Sequence, residues 1–277
     1  MTPDYESIAI ERRDQVATLV LKRRTRVPGQ PVANRHWELA NALDELRADS
    51  SVRVIVLTGT DEQFSVPPHS VEHDRAATPA ERSCEYPVDP ARTWHNMTGV
   101  IRTHQAMAEI EKPIVARVNG DAIGFGQSLV FGSDLIVAVE DALIADHHLG
   151  MGEIESVGGH LFGTVPGDGG MALVPLYMTP ARAKEYLMLG RPYRARELAD
   201  LGLINYAVAR EALDATVDDL VERLLKRPAY ALAWTKRVAN RRVVDHLNLT
   251  LDAGAGYEMT AFLQLHQQGW VDKRDLR

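Results

Sequence analysis

The sequence predicts an α/β protein in which buried strands alternate with helices, followed by a mainly helical C-terminal region. Short apolar, β-branched runs predict strands at residues 15–22, 53–58, 114–118 and 135–139. Between the first two runs, leucines spaced three and four residues apart predict a helix over residues 35–49. Alternation of strands and helices is typical of parallel or mixed sheets that are covered by helices.

Helical patterns extend this arrangement to the second half of the chain. An apolar stripe predicts a long helix over residues 91–111. Thr179 and Pro180 predict the start of another helix, because a hydroxyl group can cap a helix and proline needs no hydrogen bond at the first position. We therefore expect a core over residues 1–202 and a mainly helical region over residues 203–277.

Composition and charge exclude several classes of protein. Of the 277 residues, 45% are hydrophobic and 25% are charged, as in soluble globular proteins. The 31 basic and 38 acidic residues give a formal charge of −7, which argues against binding to nucleic acid. Cys84 is the one cysteine, so an internal disulfide is excluded. With no apolar run of bilayer length and no export signal, we expect a cytoplasmic protein without a membrane partner.

Two segments differ from the rest and are candidates for function. Residues 61–90 are rich in proline and predict a loop, and residues 146–170 are rich in glycine and histidine. A third feature is the glycine-rich turn at residues 124–126, which precedes a helix predicted over residues 127–132. Backbone N–H groups at the start of a helix lack internal partners and can bind an oxyanion.

Several motifs occur in an order that resembles the crotonase (enoyl-CoA hydratase/isomerase) superfamily. The motifs are Val54–Gly59 with Phe64-Ser65-Val66, Lys112-Pro113 with Asn119-Gly120-x-Ala122-x-Gly124-x-Gly126, Ser133-Asp134-Leu135-Ile136, and Val165-Pro166-Gly167-x-Gly169-Gly170. The resemblance extends from Tyr5 to Leu263. It implies a crotonase-type spiral of ββα units with a C-terminal helical region that mediates assembly into homotrimers or homohexamers.

The resemblance also implies a pocket in which two backbone N–H groups polarise a thioester or ketone carbonyl. These donors correspond to Val66 and Phe125. Hydratases of the superfamily place two glutamates across this pocket. One of these positions is Ser128 here, and no glutamate is in register for the other.

A subset of the superfamily, the ring-opening β-diketone hydrolases typified by 6-oxocamphor hydrolase, resembles this chain more closely at the site. In that subset a histidine–aspartate pair performs acid–base chemistry and a glutamate of a C-terminal helix assists. The matching residues here are His148, Asp168 and Glu258. This chain has an additional segment at residues 153–163 relative to the subset. If the match to the subset puts this insertion at another position, His160 corresponds to the histidine of the pair.

Each assignment has an alternative structural interpretation. His36, Ser128 and His160 are candidates for the substrate pocket, but His36 also fits the packing face of a helix. His148 could be a histidine of a surface loop, and Asp168 between glycines could be a turn residue or a helix N-cap.

The histidine-rich segment could also hold a metal through Asp146, His147, His148 and His160. No helical His-x-x-x-His spacing or thiolate accompanies these residues, so we expect no metal. The resemblance implies no separate cofactor, because coenzyme A would enter as part of a small-molecule substrate.

The sequence leaves three functions open. The first is a lyase or isomerase of the enoyl-CoA hydratase type, which stabilises the enolate of an acyl-CoA between the two N–H groups and the His148–Asp168 pair. The second is a C–C bond hydrolase that cleaves a cyclic β-diketone by a retro-Claisen reaction without coenzyme A. The third is a non-catalytic acyl-binding subunit, since both usual glutamates are missing. We expect the first as the broad class, although the site residues resemble the second.

Overall fold

Two β-sheets organise the chain, which a computed structural model describes over residues 5–23, 34–66, 90–150 and 163–267. The strands are β1 (Ile8–Arg13), β2 (Val16–Leu21), β3 (Val54–Gly59), β4 (Gln63–Ser65), β5 (Ile114–Val118), β6 (Asp121–Ile123), β7 (Leu135–Val139), β8 (Leu143–Ala145), β9 (Tyr193–Arg194) and β10 (Tyr206–Val208). The larger sheet has the order β1-β2-β3-β5-β7-β10, and the smaller has the order β4-β6-β8-β9.

The larger sheet is parallel except at one edge. β1 and β2 form an antiparallel hairpin, and β2, β3, β5, β7 and β10 then pair in parallel. Every residue of β3 is buried, as expected for a strand whose sheet is covered on both faces. The strands predicted at residues 114–118 and 135–139 are present with those bounds, and the α/β prediction is confirmed.

The smaller sheet was not predicted from the sequence. We predicted a loop from residue 61 and no strand directly before the glycine-rich turn at residues 124–126, but β4 and β6 lie at these places. These strands and β8 have three residues each, which is too short for apolar alternation to reveal them. These strands are important for function because the candidate site lies at their carboxyl ends.

The helices pack on the two sheets and on each other. Their bounds are α1 (Arg35–Ala48), α2 (Pro90–Glu109), α3 (Phe125–Phe131), α4 (Gly170–Tyr177), α5 (Pro180–Leu189), α6 (Ala195–Asp200), α7 (Leu213–Leu225), α8 (Ala229–Ala239) and α9 (Arg241–Gln267). α5 begins after Thr179, as predicted, and ends at Gly190 in a left-handed conformation with φ of 60°. α9 packs against α2 and α4, which brings the C-terminal region to the candidate site.

The C-terminal segment begins with a strand before it becomes helical. Residues of β10 pair in parallel with β7, so the chain after residue 203 first completes the larger sheet. It then continues into α7, α8 and α9. Among the helices that the structure describes, none is long and apolar enough to cross a membrane.

Candidate active site

Three parallel strands of the smaller sheet end side by side at the candidate site. β4 pairs in parallel with β6, and β6 pairs in parallel with β8. The carboxyl ends of such strands open on one edge of a sheet, where ligands commonly bind. At this edge the chain passes from β4 into Val66, from β6 into the start of α3 at Phe125, and from β8 into Asp146, His147 and His148.

The segments that carry the Val66 and Phe125 N–H groups are in close contact. A Cβ atom at Gly126 would lie 2.2 Å from the carbonyl oxygen of Ser65, so only glycine allows this approach. Phe125 is the first residue of α3, and its N–H therefore needs no partner within the helix. The two N–H groups thus lie on adjoining segments, as a candidate pair of donors to an oxyanion.

His148 lies at the centre of a buried cluster of three carboxyl groups. Its Nδ1 atom is 2.9 Å from Oδ1 of Asp146, and the same oxygen accepts the backbone N–H of His148. Its Nε2 atom is 3.6 Å from Oδ2 of Asp168 and 3.4 Å from Oε1 of Glu258. All four side chains are between 1% and 9% exposed. The structure therefore brings together the predicted His148, Asp168 and Glu258 from three separate segments.

Glycines around Asp168 make this cluster possible. The N–H of Gly170 donates a hydrogen bond to the Asp168 carboxylate at the start of α4. A Cβ atom at Gly167 would lie 2.6 Å from Oε2 of Glu258, and one at Gly170 would lie 2.6 Å from Oδ2 of Asp146. Any larger residue at these two positions would force the carboxylates away from the loop.

Burial and neighbouring charges determine which groups of the cluster hold a proton. Burial raises the pKa of Asp168 to about 7. Burial lowers the pKa of His148, but the charges of Asp168 and Asp146 outweigh it and raise that pKa well above its usual value. Burial alone would raise the pKa of Asp146, but the charge of His148 keeps it below its usual value. Near neutral pH, His148 is therefore protonated and Asp168 is the group that titrates.

A chain of buried hydrogen bonds positions the other oxygen of Asp168. Ser128 Oγ donates to Asp168 Oδ1 at 3.3 Å and accepts from Gln127 Nε2 at 3.0 Å. The Tyr186 hydroxyl in turn donates to Gln127 Oε1 at 3.3 Å. Ser128, a predicted pocket residue, is fully buried beside Asp168. This chain fixes the carboxylate that faces His148.

His36 and Phe125 lie next to each other at the candidate site. The His36 ring, on α1, contacts the Phe125 ring edge-on with 4.2 Å between the ring centres, and both residues are half-buried. The His147 ring lies between His148 and Gly124. Its centre is 4.5 Å from that of the His148 ring, and it occupies the space beside the Cα atom of Gly124. His160, the alternative pocket histidine, lies outside the described residues.

Sequence reasoning missed Asp146 and His104, besides Gln127 and Tyr186 of the hydrogen-bonded chain. We considered Asp146 only as a metal ligand, whereas the structure places it on Nδ1 of His148. An aspartate two residues before a histidine is the pattern of an Asx-turn and could have indicated this. His104 lies in the apolar stripe that predicts the helix over residues 91–111, and the sequence gives no sign that it belongs to the site. Its Nε2 lies 2.9 Å from the Asp168 carbonyl oxygen, a contact between distant segments that no local pattern reveals.

The cluster also contains side chains of the types that bind metal ions. Ligand atoms of Asp146, His148 and Asp168 lie within 4.8 Å of one another. However, Asp146 contacts Nδ1 of the imidazole while Asp168 faces Nε2, and one ion cannot bind both ring nitrogens. The geometry therefore favours an acid–base chain of carboxylate, imidazole and carboxylate over a compact shell of ligands.

Burial of His104 predicts a specific loss of stability in acid. Burial lowers the pKa of His104 to about 4, whereas an unfolded histidine has a pKa of about 6.5. Between these values the unfolded chain binds more protons, so the free energy of unfolding falls as the pH falls from 6.5 towards 4. We expect His104→Gln, which keeps an N–H donor, to reduce this slope by up to about 1.4 kcal/mol per pH unit. Urea unfolding of the wild-type and variant proteins between pH 4.5 and 7 measures this slope. Equal slopes in the two proteins would contradict a lowered pKa of His104 as its cause.

Comparison with known proteins assigns the chain to a family. The enoyl-CoA hydratase/isomerase family model matches residues 11–274. The chain is 26% identical to 1,2-epoxyphenylacetyl-CoA isomerase of Escherichia coli (strain K12), over 82% of this chain and 79% of that protein. It is 24% identical to crotonyl-CoA hydratase of Syntrophomonas wolfei, over 97% and 99%.

Solved structures give the same result for the fold. An enoyl-CoA hydratase/isomerase from Mycobacterium paratuberculosis superposes with a TM-score of 0.77 at 26% identity, covering 94% of this chain and 96% of that one. A β-diketone hydrolase from Anabaena, bound to (S)-3-oxocyclohexyl acetic acid, superposes with a TM-score of 0.76 at 19% identity, covering 95% and 96%. The predicted crotonase-type fold is thereby confirmed, and the chain belongs to the enoyl-CoA hydratase/isomerase family of enzymes.

Proposed function

We propose that this enzyme hydrolyses the C–C bond between the carbonyl groups of a cyclic β-diketone, a retro-Claisen reaction. The observation that carries the proposal is the buried His148, which is held by Asp146 on one nitrogen and faces Asp168 and Glu258 with the other. The position at which the resemblance expects a hydratase glutamate is Ser128, which is buried and bonded to Asp168. The acid–base groups therefore form one cluster and do not form a pair of glutamates across the pocket.

In the proposed mechanism each group of the cluster has its own role. Ionised Asp168 accepts a proton from water, and the resulting hydroxide adds to one carbonyl carbon. The N–H groups of Val66 and Phe125 hold the oxyanion of the adduct. The C–C bond then breaks to give a carboxylic acid and an enolate, and protonated His148 supplies the proton that converts the enolate carbon to C–H. Asp168 returns its proton to His148, whose Nε2 lies 3.6 Å away, and Glu258 supports the imidazolium charge. No step requires a cofactor.

Isotope incorporation tests this reaction directly. A cyclic 1,3-diketone, such as a 2-substituted cyclohexane-1,3-dione, is incubated with the enzyme in water enriched in oxygen-18. We expect a ring-opened keto acid that carries one oxygen-18 atom from solvent in its carboxylate, detected by mass spectrometry. Unchanged diketone across a panel of ring sizes would overturn the proposal.

A second candidate is acyl-CoA chemistry, in which the same N–H groups stabilise the enolate of a thioester. It is favoured by the relatives, since the names of the Escherichia coli isomerase and the Syntrophomonas wolfei hydratase both include CoA. Crotonyl-CoA and a phenylacetyl-CoA epoxide are the matching probes. Turnover of either, with no product from the diketones, would favour this candidate. Tight binding of acyl-CoA without turnover of any probe would favour a non-catalytic acyl-binding subunit.

The Gly124→Ala variant tests the oxyanion hole. Gly124 has φ of 60° and ψ of −120°, and a Cβ atom there would lie 2.4 Å from the His147 ring. The substitution must therefore move the backbone that carries the Phe125 N–H. Loss of one such donor typically lowers kcat by about 10²–10³-fold. Gly202→Ala is the matched control. Gly202 also has a positive φ, 70°, but in the described part of the chain no heavy atom beyond the glycine and its two neighbours lies within 4 Å of its Cβ position. Equal kcat values for the two variants would contradict the role of this loop.

We also propose that residues 203–277 mediate assembly into trimers or pairs of trimers. Tyr230, Trp234 and Val238 occupy successive turns of α8 and are 61%, 62% and 71% exposed, which leaves an apolar face on the single chain. We expect Trp234→Glu to shift the mass measured by light scattering from that of an oligomer towards a single chain. A wild-type protein that is monomeric at micromolar concentration would overturn this proposal.

A further inference from the structure

The hydroxyl group of Ser128 lies between two acceptors that belong to different parts of the candidate site. Its Oγ atom is 3.3 Å from Oδ1 of Asp168, the proposed base, and 3.5 Å from the carbonyl oxygen of Gly124. Ser128 is fully buried, so bulk solvent does not compete for this hydroxyl group. Gln127 Nε2 donates to the same Oγ atom at 3.0 Å, which leaves the single proton of Ser128 for one of the two acceptors.

The Gly124 carbonyl group belongs to the same peptide bond as the Phe125 N–H group. In the proposed mechanism this N–H group holds the oxyanion. A hydrogen bond to the oxygen of a peptide group polarises the group, and such coupling strengthens the next hydrogen bond by roughly 10–30%. A Ser128 proton that points to Gly124 therefore strengthens the oxyanion hole, whereas one that points to Asp168 stabilises the ionised base.

The charge of Asp168 determines which acceptor receives the Ser128 proton. A hydrogen bond to an ionised carboxylate is about twice as strong as one between neutral groups, so ionised Asp168 is the preferred acceptor. Once Asp168 is protonated, the peptide carbonyl of Gly124 is the better acceptor. Rotation of the hydroxyl group about the Cβ–Oγ bond is sufficient for the change, because Oγ is within reach of both. Burial raises the pKa of Asp168 to about 7, so both states are accessible near neutral pH.

Other titratable groups also face the two acceptors. Those around Asp168 are His148 and Asp146 after β8, Glu258 on α9, His104 on α2 and Tyr186 on α5. Those beside Gly124 and Phe125 are His147 and His36. An imidazole titrates whether or not Ser128 has a hydroxyl group, so a Ser128 variant separates such effects from a turn of the hydroxyl group.

We propose that Ser128 is a positioning residue that couples the base to the oxyanion hole. Its proton points to Asp168 while that group is ionised, and it turns to the Gly124 carbonyl oxygen when Asp168 takes a proton from water. The transfer that produces hydroxide thus strengthens the Phe125 N–H donor as the oxyanion forms, and Ser128 itself neither gains nor loses a proton. The benefit to catalysis rests on the proposed function, but the turn of the hydroxyl group belongs to the free enzyme and is tested without substrate.

A single NMR signal reports on this peptide bond. Of the five phenylalanines in the chain, Phe125 alone follows a glycine. The full chain, labelled with carbon-13 in glycine carbonyl groups and nitrogen-15 in phenylalanine, therefore gives one carbonyl–amide correlation, from Gly124 and Phe125. A hydrogen bond to a carbonyl oxygen moves its carbon signal downfield. We expect the Gly124 carbonyl signal to lie downfield in mild acid and to move upfield as the pH rises through about 7 and Asp168 ionises.

Two serine variants make this test specific. Ser128→Ala should lose the step near pH 7, because alanine has no proton to turn. Ser133→Ala is the matched control and should keep the step. Ser133 is also buried and donates to a carbonyl oxygen four residues earlier, that of Leu129, at 2.9 Å, but among the described residues its hydroxyl group has no carboxylate partner. No step in the wild-type protein, a step of equal size in Ser128→Ala, or loss of the step in both variants would each overturn the proposal.

Kinetics with the cyclic diketone measure the benefit to catalysis. At a pH where Asp168 is ionised, we expect kcat of Ser128→Ala to be about two- to eightfold below the wild-type value, the effect of a 10–30% weakening of a donor that contributes about 10²–10³-fold. Diketone cleavage by a wild-type enzyme that shows no NMR step would overturn the coupling and leave the proposed function in place. A step that Ser128→Ala removes, with no diketone cleaved, would support the coupling and count against the proposed function.

Discussion

Replacement of His148 by alanine is expected to lower kcat for cyclic β-diketone cleavage by about 10²–10⁴-fold, the usual contribution of a general acid or base. The physical reason is that, among the described residues, His148 carries the imidazole whose nitrogens face all three buried carboxyl groups. Its Nε2 atom alone can pass a proton between Asp168 and the enolate carbon. The measurement is single-turnover formation of the keto acid, with circular dichroism to verify the fold.

Two variants make this test specific. His148→Asn keeps a donor towards Asp146 but removes the group at Nε2, so we expect the same fall in kcat as for alanine. His246→Ala serves as a matched control, because His246 lies on α9 about three turns before Glu258. Retention of more than about a tenth of the wild-type kcat by both His148 variants would remove His148 from the mechanism.

Replacement of Asp168 by asparagine is expected to abolish the rise of kcat/KM with pH and to lower its maximum by about 10²-fold. In the wild-type enzyme the pKa of Asp168 is raised to about 7 by burial. The proposed base is the ionised carboxylate, so kcat/KM should increase as the pH rises through about 7. It should fall again only where His148, whose pKa is raised well above its usual value, loses its proton. Asparagine keeps the shape of the side chain but cannot ionise.

The matched control for this variant is Asp121→Asn. Burial also raises the pKa of Asp121, which is half-buried, but this residue lies at the start of β6, at the end opposite to the candidate site. The pH profile of this control should keep its rise near pH 7. A rise that persists in Asp168→Asn would show that another group is the base, and the cluster would then need a different division of roles. Because the groups interact, the two apparent pKa values belong to the cluster as a whole.

Local patterns were sufficient to predict much of the larger sheet. β7 is a continuous apolar run and β5 is interrupted only by Arg117, as is typical of strands in a sheet that helices cover on both faces. β1 has six residues, but its second half is charged (Glu11, Arg12 and Arg13), so it forms no apolar run. The strands β4, β6 and β8 of the smaller sheet have only three residues each, too few for any periodic signal. The end of α5 at Gly190 is also a feature that a local pattern can predict, because the left-handed conformation after a helix strongly favours glycine.

For the candidate site, the order of motifs was enough to predict the family and to select His148, Asp168 and Glu258. The structure places a carboxylate oxygen of Asp168 and one of Glu258 within 3.6 Å of Nε2 of His148. The hydrogen-bond partners and the burial of these three residues follow from the tertiary structure. Asp146 on Nδ1, the buried chain from Tyr186 to Ser128, and His104 under the Asp168 carbonyl come from separate segments. Burial and the charge of distant neighbours determine where a proton resides, and both depend on packing that no local stretch of sequence encodes.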